Sequence, residues 1–168
     1  MDVVGGASAN LLGSANSYGT DGDDTVVALI DTVTTANSTL NPLDEIDAGL
    51  GTNTMTLNVV GDLDDAADFP GGVTFANIDT VNVRGSGALG DAAGEFDLST
   101  VLGTAGEVNI TLATAVATKV AAATDLNVLG ATDAIIIDGG KDIEVTDATA
   151  DKNISVGDTT ESAGTVWF

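Results

Sequence analysis

Apolar and polar residues alternate along most of this chain with a period of two. In the segment 54–60 (TMTLNVV), Met55, Leu57 and Val59 fall on one side and Thr56 and Asn58 on the other. That is the pattern of a strand with one buried face. The same reading predicts strands over 24–33 (DTVVALIDTV), 78–83 (IDTVNV), 96–101 (FDLSTV), 107–112 (EVNITL) and 125–130 (DLNVLG). It continues over 134–139 (AIIIDG), 142–147 (DIEVTD), 153–158 (NISVGD) and 165–168 (TVWF). Segment 24–33 can also be drawn as a short helix, but its β-branched residues favour the strand. Segment 112–125 (LATAVATKVAAATD) is rich in Ala and has helical propensity; its Thr residues and flanking strands favour a tight pair of rungs.

The apolar anchors Val81, Phe96, Val108, Leu126, Ile135, Ile143, Ile154 and Val166 recur at short, irregular intervals. Connections this brief suit either antiparallel hairpins in a β-sandwich or the rungs of a parallel β-solenoid. Asn-Gly hairpin turns are absent, the strands are equally short, and Ala, Gly, Thr and Ser crowd the corners. These features predict an all-β fold, a solenoid or β-roll of short parallel strands, with the sandwich as alternative. Parallel stacking places Asn82, Asn109 and Asn127 in comparable positions, which allows an amide ladder. The chain reads as one domain: an acidic, Gly-rich β segment (1–61), an acidic loop (62–72) and further rungs (73–168).

Composition agrees with this picture. Hydrophobic residues make up 43% and mean hydropathy is +0.27, which excludes an acidic disordered chain. Only 4% are aromatic, so the core is stacked aliphatic layers. With 26 acids against 4 cations (Arg84, Lys119, Lys141 and Lys152), net charge is −22. Four cations cannot neutralise a string of phosphates, so no nucleic-acid partner is expected. No apolar run approaches the roughly 18 residues of a membrane helix, so no membrane insertion is expected. The absence of Cys and His removes thiolate and imidazole zinc ligands, the cysteine nucleophile and the Ser-His-Asp triad. Residues 1–19 carry neither a basic region nor an apolar stretch of signal-peptide length.

Asp far outnumbers Glu, and Asp is the short carboxylate that both caps turns and ligates hard cations. Two segments concentrate this chemistry. One, 19–27, reads GTDGDDTVV; the other, 48–56, reads AGLGTNTMT and is preceded by Asp44, Glu45 and Asp47. Both resemble the nonapeptide G-G-x-G-x-D-x-U-x of RTX calcium-binding β-rolls. Asp24 and Val26 take the Asp and U positions in the first, Asn53 and Met55 in the second, while Thr20 and Ala48 depart from the double glycine. The candidate calcium ligands are therefore Asp21, Asp23, Asp24, Asp44, Asp47 and Asn53, holding one or two ions whose charge would relieve carboxylate repulsion. The alternative is two acidic, Gly-rich turns without an ion.

The succession GTDGDDTVVALID, LDEIDAGLGTNTMTLNV, ANIDTVNVRGSG, EFDLSTV and GGKDIEVTDATADKNISVGDTTESAGTV resembles the repeat-bearing surface-layer proteins and large adhesins of Gram-negative bacteria. The resemblance implies an extracellular, calcium-dependent structural protein on the bacterial cell surface. It also implies type I export through an uncleaved C-terminal signal, and assembly with identical chains into a lattice or filament. A surface polysaccharide is a further partner it allows. The end segment TVWF, after Asp158 and Glu161, resembles either a secretion tail or, better, a final strand awaiting a neighbour.

Three other readings carry less. Asp62, Asp64, Asp65 and Asp68, or Asp91, Glu95 and Asp97, offer paired carboxylates for a carbohydrate-active β-helix enzyme, but few aromatics and cations support one, and no enzyme is expected. An ice- or glycan-binding adhesin module needs a flat Thr array, for which Thr32, Thr34, Thr52, Thr54 and Thr56 give two short pieces. Asp62 and Asp64 begin like an EF-hand loop, but Ala66 and Ala67 stand where that loop needs an oxygen ligand and a glycine.

Overall fold

The computed structural model describes residues 8–10, 16–64, 68–91, 94–99, 106–146, 154–157 and 165–167. Asp65, Ala66, Ala67, Lys152, Asp158, Glu161 and Phe168 lie outside the described residues, as do parts of three expected strands (100–101, 147, and 153 with 158). In chain order the strands are β1 (Ser8–Asn10), β2 (Asn16–Thr20), β3 (Thr25–Asp31), β4 (Glu45–Gly49) and β5 (Thr54–Val60). Next come β6 (Thr74–Ala76), β7 (Thr80–Gly85), β8 (Phe96–Asp97), β9 (Glu107–Thr111) and β10 (Val116–Lys119). The last are β11 (Asp125–Leu129), β12 (Ile135–Asp138), β13 (Asp142–Thr146), β14 (Ile154–Val156) and β15 (Thr165–Trp167).

Odd-numbered strands stack in order into one eight-stranded sheet, and even-numbered strands form two smaller sheets, β2-β4-β6 and β8-β10-β12-β14. Among the described residues every strand pairing is parallel. A chain that returns to the same sheet after each excursion, always in the same direction, is a β-solenoid; the antiparallel sandwich is not formed. One coil takes 17 residues from Leu126 to Ile143 and 18 from Val108 to Leu126, but 27 from Val81 to Val108 and 29 from Val26 to Met55. The extra residues sit in the connections, so strand register survives them.

Register explains the core. Val26, Met55, Val81, Val108, Leu126 and Ile143 are consecutive partners pointing inward, none more than 1% exposed. Opposite them run Leu63, Leu89, Val116 and Ile135, joined rung to rung by single bridges and strand pairing. Each such aliphatic side chain contributes about 1.5–3 kcal/mol by leaving water. The outward residues between them remain polar or half-buried.

Several strands are shorter than expected: 24–33 becomes Thr25–Asp31, 134–139 becomes Ile135–Asp138, and the strand that begins at Phe96 ends at Asp97, with 98–99 outside it. The Ala-rich 112–125 is indeed not helical. Leu112 turns the corner with φ at +65°, β10 follows, and a turn leads into β11. The strands β1, β2, β4 and β6 are additions to the sequence reading, and β10 is a rung within the 112–125 segment where rungs were expected.

Candidate functional site

The acidic corner is where sequence and structure meet most closely. Asp24, Asn53 and Asp79 each stand one residue before a large-sheet strand, stacked coil upon coil. Asn53 Oδ1 accepts a hydrogen bond from the Asp24 amide at 2.8 Å, and Asp79 Oδ2 accepts one from the Asn53 amide at 2.7 Å. The Asp24 carboxylate accepts from the Thr20 amide at 2.6 Å and from the Thr20 hydroxyl at 3.1 and 3.2 Å. Asn53 is fully buried, and its amide group donates to the carbonyls of Asn77, Leu50 and Gly49. The corner is thus a side-chain ladder that satisfies backbone groups left over where the chain turns.

The remaining sequence candidates do similar work at separate places. Asp23 Oδ1 accepts from the Thr52 amide at 2.8 Å, which ties one turn to the next. Buried Asp44 accepts from the Asn41 amide at 2.8 Å, closing the turn that enters β4. Asp47 lies within β4 and accepts from the Gly49 amide at 3.0 Å and the Asn77 side chain at 2.7 Å. The Gly49 amide, then the Asn77 side chain, hold its carboxyl below the ordinary aspartate range. Asp21 stands exposed in the β2–β3 turn. Calcium asks for six to eight oxygens converging at about 2.3–2.6 Å. Here both oxygens of Asp24 face the hydroxyl and amide of Thr20, while Asp23, Asp44 and Asp47 turn to three different amides. The six residues do not fit a shared calcium cage, and among the described residues no three His, Cys, Asp or Glu side chains are grouped to hold a metal.

The glycines of the two nonapeptide-like segments have their own function. Gly49 has φ at +81° and Gly51 at +98°; a Cβ on Gly49 would overlap the Thr20 carbonyl oxygen, and one on Gly51 would meet the Gly22 backbone. Stacked turns come this close only without side chains.

A second constellation lies on the outer face of the large sheet. Asn82, Asn109 and Asn127 are register partners. The Asn109 amide donates to Asn82 Oδ1 at 3.0 Å, and the Asn127 amide to Asn109 Oδ1 at 2.8 Å and Glu107 Oε1 at 3.2 Å. The expected amide ladder is formed. Its column continues through Glu144 to Trp167, which is 63% exposed. Beside it run Glu107, Asp125, Asp142 and Thr165. Asp125 and Asp142 each stand one residue before the register partners Leu126 and Ile143, which places them on neighbouring rungs. Lys141 bridges their carboxylates at 3.2 and 3.4 Å, and both hold its ammonium pKa above the ordinary lysine value. Glu107, Asp125, Asn127, Asp142, Glu144 and Trp167 line an open groove of about 400 Å³.

On the opposite side, Lys119 pairs with Asp138 at 3.3 Å, and that carboxylate, chiefly by its hydrogen bond, raises the lysine pKa. Asp138 is 1% exposed and its Oδ1 has no hydrogen-bond partner.

Asp79 and the Trp167 groove are absent from the sequence reading. The signal for Asp79 is the tripeptide Asp/Asn-Thr-Val/Met, which occurs at 24–26, 53–55 and 79–81. No known protein family, curated protein or solved structure matches this chain.

Proposed function

We propose that this chain is a structural module of a bacterial cell surface that associates with identical chains into a lattice or filament in the presence of calcium. The single observation that carries the reading is the continuous parallel stack. Eight in-register strands over an aliphatic core make a rod, and among the described residues its outermost strands, β1 and β15, each pair on one side only, which suits the other side to a further strand. That strand can come from a longer chain or from a second copy. The resemblance of 19–31, 43–59 and 139–166 to surface-layer and adhesin repeats points the same way. Because the corner carboxylates satisfy the chain's own amides, calcium in this reading acts between copies. At a net charge of −22 they repel one another, and a dication lowers that repulsion.

Light scattering across a calcium titration tests the proposal, with EDTA and with sodium chloride at matched ionic strength as references. Mass is expected to rise with millimolar calcium, to stay lower in matched sodium chloride, and to return to its starting value in EDTA. A mass that does not respond to calcium overturns it.

A further inference from the structure

We infer that the groove beside Trp167, on the outer face of the large sheet, binds a neutral polysaccharide strand. This goes beyond self-association and does not depend on it. Trp167 is the chain's single tryptophan and stands 63% exposed at the foot of a polar column. An exposed indole is a flat apolar platform, the surface on which the C–H face of a sugar ring stacks.

From that platform two rows of polar side chains run up the sheet, Glu144 and Asn127 in one, Thr165, Asp142 and Asp125 in the other. Successive rungs are about 4.8 Å apart, a pitch close to one sugar unit of an extended glycan. The groove of about 400 Å³ has room for a short run of such units.

Donor and acceptor chemistry selects the class of ligand. Carboxylates only accept hydrogen bonds, and sugar hydroxyls donate them, so the contacts are charge-assisted. Lys141 holds the Asp125 and Asp142 carboxylates in place before any ligand arrives, which reduces the ordering cost of binding. The same carboxylates, on a chain of net charge −22, repel uronates, sulfated glycans and nucleic acids. A neutral, hydroxyl-rich chain satisfies all three conditions.

Because Trp167 is the sole tryptophan, its fluorescence reads this groove alone. The full chain, kept in EDTA, is run on native gels containing β-glucan, mannan, galactan or polygalacturonate, and soluble oligosaccharides of the retarding polymer are titrated against Trp167 emission. Retardation by at least one neutral polymer, with a saturable blue shift, is expected. Trp167→Ala should abolish retardation, and Asp142→Asn or Glu144→Gln should weaken oligosaccharide binding at least tenfold while circular dichroism stays unchanged. Migration unaffected by every neutral polymer overturns the inference. So does retardation by polygalacturonate alone, a shift produced only by a tetralysine peptide, or a shift that follows protein concentration without sugar, which would assign the groove to a second copy.

Discussion

Asn53 occupies the centre of the corner ladder as the one member that must both give and receive. Its Oδ1 takes the Asp24 amide while its Nδ2 faces three carbonyl oxygens. Replacing it with Asp sets a buried acceptor against those carbonyls. Asn53→Asp should therefore cost about 3 kcal/mol, the penalty of unsatisfied buried polar groups, read as a lower urea midpoint, whereas Asp24→Asn should cost less. Asp47 supplies a pH test. A carboxyl held low in the folded state stabilises the fold above the ordinary aspartate range, and that contribution is lost as the pH falls through it toward the folded value. Asn77→Ala removes one of the two hydrogen bonds that lower this carboxyl. The variant's melting temperature should differ most from the parent's at neutral pH, and the gap should narrow in acid to the pH-independent cost of an alanine at φ +57°. These residues were legible as corner residues, but not their partners. A short carboxylate beside glycines suits an amide as well as a cation, and the amides of Thr20, Thr52 and Gly49 reach it only through the turn itself or the coil stacked above.

Strands of the large sheet were the easiest elements to read, because their outward faces are polar and their inward faces aliphatic; β5 spans the expected 54–60. In the smaller sheets β8, β12 and β14 fall on expected segments, but β2, β4 and β6 do not and β10 is faint, for a physical reason. β4 and β10 are short and carry small residues such as Ala48 and Ala117, and Thr118 turns inward to hydrogen-bond the Phe96 carbonyl, so alternation fades there. Glycine at the tight turns is the element-scale constraint that can be tested. Gly49→Ala must place a Cβ on the Thr20 carbonyl at a positive φ. Gly71, with nothing within 4 Å of an added Cβ, offers a matched control. The first substitution should destabilise by roughly 2 kcal/mol or more and the second by less than about 0.5 kcal/mol, as judged from thermal unfolding of the two variants.

At the scale of the molecule, a charge of −22 on one rod means that folding gathers repelling groups. Lys119 and Lys141 form ion pairs, but four cations cannot balance 26 acids. Melting temperature should rise with sodium chloride and level off once the Debye length, about 10 Å at 0.1 M, falls below the spacing between surface charges. A flat profile would mean that the carboxylates are already neutralised locally. The parallel arrangement was legible in the short, turn-separated repeats, while the unequal coil lengths were not, because connections add residues without disturbing the register that defines a rung. One further consequence lies in the asparagine row, where each amide passes its hydrogen to the preceding coil and none passes it back. With every coil stacked on the one before it in the same sense, the molecule is a vector with chemically distinct head and tail. A fibre grown head to tail along that axis inherits the direction, so its two tips should capture subunits at unequal rates.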